Sequence, residues 1–258
     1  MQLRIQQGEP RLLAAWSLAC IALAACSEEG PAGPSRALGP APPGERVLFV
    51  GNSLTEANDL PLIVEALSTA AGRTLSVESV THPGVALEDH WRLGTQNTIS
   101  GGGFRFVVLQ QGPSALPESR VNLREWVKRF DTVIREAGAV TALYMVWPDR
   151  SRDGDFPRVS DSYRLAALDV GGILLAAGDA WRAAWRRDAS LPLYGPDGFH
   201  PSLAGSYLAA LTIVAGLTEG SPLGLPARLR LRNGATVEVP EAMAQALQAA
   251  AEEVRSGS

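Results

Sequence analysis

The sequence predicts an α/β fold, a three-layer sandwich with helices on both faces of a parallel sheet of about five strands. Three observations carry that prediction. Short β-branched or apolar runs alternate along the chain with longer helical stretches. The runs are almost continuously apolar, as strands covered on both faces are, and lack the alternation of a half-solvated sheet. Finally, 258 residues, 46% hydrophobic and 19% charged, suffice for one globular core and a modest additional segment.

The first 26 residues read as an export signal. Arg4 and Arg11 precede an apolar run over 12–26 that ends in small residues. The run is too short to span a bilayer comfortably, which takes roughly 20 apolar residues. Its end, Leu23-Ala24-Ala25-Cys26, resembles the lipobox of bacterial lipoproteins, which implies cleavage before Cys26 and lipidation of that cysteine. Cleavage after Ala22-Leu23-Ala24 is the alternative, and would leave a soluble secreted protein. Residues 27–45, rich in Pro, Gly and Ala without apolar periodicity, read as a flexible linker. The lipoprotein resemblance implies a membrane-tethered, exported protein, and Ser27 after the cysteine implies outer-membrane sorting in a Gram-negative source. Cys20 and Cys26 are the two cysteines, so the segment beyond them has no disulfide.

The folded domain is expected over 46–220, with strands at 47–50, 75–80, 106–109, 140–146 and 173–176. Helices are expected at about 60–71, 120–137, 159–169, 179–187 and 202–217. The tail, 221–258, differs in kind. Two alternating segments, 228–232 and 235–239, flank Asn233-Gly234 and predict a hairpin with a two-residue turn, followed by a helix over 240–254. Alternation would set Arg228, Arg230 and Arg232 together on a solvated face, with the tail packed on the domain.

A net charge of −4 with scattered arginines leaves no electrostatic footprint for nucleic acid. No His-Glu-x-x-His or paired Cys-x-x-Cys is present, so neither a metal nor another cofactor is implied, and no protein partner is. Gly101-Gly102-Gly103 lacks the Lys-Ser/Thr of a phosphate loop and reads as a flexible approach to the third strand. The segment 149–155 lacks calcium-loop spacing and reads as a surface loop.

Two constellations carry chemistry. In Gly51-Asn52-Ser53 the first strand runs into a turn, which exposes Ser53 at the strand's carboxyl end, where ligands of such folds bind. In Asp197-Gly198-Phe199-His200 a carboxylate lies three residues before a histidine. Asp197 can therefore orient His200, and His200 can act as base on a serine. His82, in a His-Pro-Gly turn, and His90, among helically spaced charges, read as structural. Trp147-Pro148 closes the fourth strand beside these residues, with packing as the expected role of the tryptophan.

With these blocks the chain resembles the SGNH hydrolases, the GDSL-like esterase superfamily, over about residues 46–217. Gly51-Asn52-Ser53 is similar to the family's Gly-Asp-Ser, with Asn for Asp, and Asp197 and His200 match its Asp-x-x-His. The resemblance implies a flavodoxin-like strand order, a Ser53-His200-Asp197 triad, and Gly84 as a backbone donor to the oxyanion. It fails at the third block, where the family has Gly-x-Asn-Asp and this chain runs from Gln110 into Gln111-Gly112-Pro113-Ser114-Ala115: Gly112 fits, but Ser114 stands in the place of the asparagine that completes the oxyanion hole. Gln110 or Ser114 is expected to supply the third donor, with Gln110 preferred because a polar residue ending an apolar strand points at the site edge. The implied activity is hydrolysis of carboxylic esters, with acetyl or short acyl groups on carbohydrate as the expected substrates. Acyl transfer, and a degenerate fold used as a carbohydrate-binding surface lipoprotein, are the alternatives.

Overall fold

A computed structural model describes residues 39–257. Cys20, Cys26, the signal segment and most of the linker lie outside the described residues. Five parallel strands form the sheet: β1 (Glu45–Gly51), β2 (Leu75–Thr81), β3 (Phe106–Leu109), β4 (Val140–Tyr144) and β5 (Ile173–Leu175), in the order β2-β1-β3-β4-β5. This is the flavodoxin-like order expected from the family resemblance.

From β1 the chain crosses one way to β2, through α1 (Ser53–Glu56), a 3₁₀ turn and α2 (Leu60–Ala70). It then passes back over β1 to β3, through α3 (Leu87–Arg92) and α4 (Thr95–Gly102), and continues outward through α5 (Pro117–Glu136) and α6 (Phe156–Val170). The strand order thus reverses between β1 and β3, and in open α/β sheets ligands bind at the carboxyl ends of the strands beside such a switch. Helices α2, α7 (Ala177–Arg187), α8 (Leu203–Thr218) and α9 (Glu241–Ser256) pack together as one layer, and α3 to α6 as the other. Helix α8 is apolar nearly all round and buried along almost its whole length, because α2, α7 and α9 enclose it.

Helix α3 covers the helically spaced charges around His90, and α4 stands where the sequence suggested a flexible approach, with Gly101 and Gly102 closing it. Strand β4 is shorter than 140–146. Beyond Tyr144 the chain stays buried but leaves the ladder, and only Met145 N–H still reaches across, to Leu175 O. The segment 149–155 is two short 3₁₀ turns meeting at Arg152.

The hairpin, β6 (Arg228–Arg230) with β7 (Thr236–Glu238), has a wider turn than Asn-Gly alone: Gly234 N–H bonds Leu231 O and Leu231 N–H bonds Ala235 O, with Gly234 at φ +80°. Strand alternation therefore stops before Arg232. Arg228 and Arg230 are exposed, but Arg232 turns inward and pairs with the buried Glu65 of α2 at 2.8 Å. The same two side chains serve the open edge of β2, since Arg232 Nη2 donates to Val77 O at 3.1 Å and Val77 N–H donates to Glu65 Oε2 at 3.1 Å. An unpaired edge strand is thereby closed by side chains. Among the described residues no helix is long and apolar enough to cross a membrane.

Candidate active site

Gly51 ends β1 where no side chain fits: a Cβ there would lie 2.3 Å from Thr55 Oγ1 and 2.5 Å from Gln110 Oε1. Asn52 follows in extended conformation and caps α1, its Oδ1 accepting from Leu54 N–H at 3.1 Å. Ser53 is thus the first residue of a short helix at the sheet's switch point, and no acceptor among the described residues takes its N–H.

The loop from Tyr194 to Pro201 brings the base. Its ends pair, Tyr194 with Pro201, and Gly195 N–H donates to His200 O at 2.7 Å. Asp197 organises the turn through Oδ1, which accepts the N–H groups of Phe199 at 3.0 Å and His200 at 2.9 Å. Its Oδ2 accepts the His200 Nδ1 proton at 2.6 Å, which leaves Nε2 to accept the Ser53 hydroxyl at 2.9 Å. The His200 hydrogen bond, reinforced by those two N–H groups, holds the Asp197 carboxyl down at about 2, although the group is well exposed. The structure therefore brings Ser53, His200 and Asp197 into one hydrogen-bonded chain.

Other residues fix this loop, and motif reading passed over them. Trp147 Nε1–H donates to Phe199 O at 3.0 Å, and the ring stacks on Trp181 with centroids 3.5 Å apart. Arg150 N–H donates to Gly198 O at 2.8 Å. Asn58, at φ +56°, donates to Pro201 O at 3.1 Å and so ties the segment after the serine to the segment after the histidine. Its left-handed backbone, which Asn tolerates better than most residues, was the available signal.

Gly84 lies in the turn after β2 at φ +74°, with open space where a Cβ would be and no acceptor on its N–H among the described residues. Asn52 Nδ2 donates to Val85 O at 3.1 Å and holds this turn to the serine turn. An aspartate could not make that bond while ionised.

Gln110 is corrected as an oxyanion donor. Both of its amide hydrogens are already used, one on Asn52 Oδ1 at 3.0 Å and one on Gln111 O at 2.7 Å, and the side chain is 1% exposed. Its Oε1 accepts Asn52 N–H at 2.9 Å and the Thr55 hydroxyl at 2.7 Å. The glutamine points away from solvent, into the base of the nucleophile turn. Ser114 is engaged as well: its hydroxyl donates to Gly112 O and accepts from Gln111 Nε2, each at 3.0 Å. Neither side chain presents a free proton.

His90 is fully buried, bonded to Gly51 O at 2.9 Å and to the Thr95 hydroxyl at 3.2 Å, and burial pushes its pKa down. His82 lies 5.5 Å from it, ring to ring. His90 sits beneath the serine turn and His82 is exposed beside it, both outside the Ser53–His200–Asp197 chain. Among the described residues no group of three or more His, Cys, Asp or Glu side chains could hold a metal ion.

Solved structures repeat this architecture. A candidate SGNH hydrolase from Slackia heliotrinireducens is 28% identical with a TM-score of 0.57, over 67% of this chain and 99% of that one. A DUF4886 family protein from Bacteroides uniformis is 19% identical with a TM-score of 0.67, over 82% of this chain and 94% of the other. A lipase/acylhydrolase from Enterococcus faecalis is 16% identical with a TM-score of 0.55, over 68% and 96%. Neither a family model nor a curated protein matches the sequence. The fold and these likenesses place the chain in the SGNH hydrolase superfamily. The Slackia protein carries a hydrolase name, and the two structures of lower identity show the fold.

Proposed function

We propose that the protein is a serine esterase that removes acetyl or short acyl groups from carbohydrate through an acyl-enzyme. The observation that carries this reading is the bond from Ser53 Oγ to His200 Nε2 at 2.9 Å, with Asp197 at 2.6 Å behind it. His200 takes the Ser53 proton as Oγ attacks the ester carbonyl, and returns it to the departing alcohol oxygen. Water, deprotonated by the same imidazole, then attacks the acyl-serine, and the acid leaves as Ser53 regains its proton.

The backbone N–H groups of Ser53 and Gly84 are assigned to the oxyanion, since neither has an acceptor among the described residues and the Asn52–Val85 bond joins their two turns. No side-chain donor is assigned, because Gln110 and Ser114 are spent within the fold. The triad's exposure suits an alcohol carried on a large polar molecule, and among the described residues no long apolar lid stands ready for a lipid chain. Export and tethering through a lipidated Cys26 belong to the same reading, and Cys26→Ser is expected to release the protein from membranes.

A serine-directed fluorophosphonate tests the chemistry. Labelling in proportion to lost esterase activity, abolished in a folded Ser53→Ala variant, is expected. A chain that stays unlabelled and splits no ester is a binding protein.

A further inference from the structure

The two 3₁₀ turns over Arg150–Asp155 form a wall between two cavities. Three residues per turn stack every third side chain on one side. Asp149, Arg152 and Asp155 face a cavity of about 190 Å³ that also touches Ser114 and Phe199, the neighbour of His200. Arg150, Asp153 and Phe156 face the opposite way, into a cavity of about 590 Å³. That second volume lies within the range of small-molecule sites, yet none of the triad lines it.

Its floor is the half-buried Trp185, which stacks on the buried Tyr194 with centroids 5.6 Å apart and meets the buried Phe156 edge to face at 5.9 Å. Its rim is charged, from Arg150, Asp153 and Arg182. The cavity is coupled to the base, since Tyr194 pairs with Pro201, and Arg150 bonds Gly198 through its backbone while its guanidinium lies 5.0 Å above the Tyr194 ring.

We infer that this cavity is a distal sugar subsite, which binds a pyranose unit of a glycan whose esterified unit sits beside His200. The inference rests on the esterase reading above. A pyranose ring offers an apolar C–H face to an aromatic floor and equatorial hydroxyls to a rim. Those hydroxyls both donate and accept, so they satisfy the donor-only arginines and the acceptor-only Asp153 together. An acyl chain would strip water from three charged groups without replacing it. A phosphorylated ligand would meet Asp153.

The test uses the full chain with acetylated β-linked oligosaccharides of one to six units. Wild type should favour the longer substrates by about tenfold or more in kcat/KM, mostly through KM. Trp185→Ala, and separately the surface change Arg182→Ala, should collapse that length preference toward one. An independent arm titrates unesterified hexasaccharide into Ser53→Ala by calorimetry, with and without Trp185. Saturable binding lost with Trp185, beside a wild type that cleaves no ester, would uphold the subsite and overturn the esterase reading. Ester cleavage with no dependence on chain length, and no sugar binding, would overturn the subsite alone.

Discussion

Asn52 and Gln110, 58 residues apart, hold each other by two hydrogen bonds: Asn52 N–H donates to Gln110 Oε1 at 2.9 Å, and Gln110 Nε2 donates to Asn52 Oδ1 at 3.0 Å. Asn52 stands where the serine block departs from the family pattern, and Gln110 ends the third strand just before the departure at Ser114. The two fit together because position 52 offers a backbone N–H and a side-chain oxygen, and the Gln110 amide both accepts and donates. Gln110→Ala should orphan buried groups of Asn52 and Thr55 and cost roughly 2–4 kcal/mol of stability, alongside a loss of activity. Urea unfolding decides the point. Unchanged stability with a fall in kcat alone would return Gln110 to the role of oxyanion donor.

Asn52→Asp restores the family residue and should still lower kcat/KM, by about tenfold at neutral pH. The carboxylate would keep its acceptor bonds from Leu54 N–H and Gln110 but would face Val85 O with no proton to give. The Gly84 turn would lose its tie to the serine. Activity equal to wild type across the pH range would show that Asn52 Nδ2 does not position that turn.

The strands could be read from the sequence because a doubly covered strand is apolar throughout, and the triad because Asp-x-x-His is a local pattern. Helix α4 could not be read that way. It buries only Thr95 and Ile99, so its sequence has no apolar period and its helicity is owed to packing against α5. Gln110 misled for a related reason. Its place at a strand end was legible, but the direction of its side chain was set by Asn52, and local pattern carries no information about a partner so distant. Arg232 turned inward because the wider turn broke the alternation that would have kept it on the face of Arg228.

His90 predicts a pH dependence of stability. Burial lowers its folded pKa, so between that value and the unfolded value near 6.5 the unfolded chain binds more protons. Stability should therefore fall as pH drops below about 6.5. His90→Gln cannot take up a proton, so it should be less stable than wild type at pH 7.5, and the gap should narrow at pH 5. A gap that is constant with pH would contradict the buried neutral imidazole.

The hydrogen bonds from His200 and from the Phe199 N–H hold the Asp197 carboxyl down at about 2, so the kcat/KM profile should carry no titration of that carboxylate in the mildly acidic range. Asp197→Asn should lower kcat by roughly ten-thousandfold, less than the loss of roughly a millionfold expected for His200→Ala. Equal and total losses, with lowered melting temperatures in both, would point to collapse of the Tyr194–Pro201 loop.

Arg232 and Glu65 offer a test of how the edge of the sheet is closed. Buried ion pairs can often be exchanged for apolar residues at little cost, whereas removing one partner strands a charge at about 3–5 kcal/mol. Arg232→Met should show that single-site loss, because it leaves Glu65, 4% exposed, without its ion-pair partner. The double change Glu65→Leu with Arg232→Met removes both charges, yet it should recover only in part. Val77 N–H and Val77 O, on the open edge of β2, take their partners from these two side chains, and each group left without one costs about 1–3 kcal/mol. Urea unfolding of wild type, both single variants and the double variant gives the coupling energy directly. A double variant as stable as wild type would mean that water closes the β2 edge and that the pair contributes only its mutual attraction.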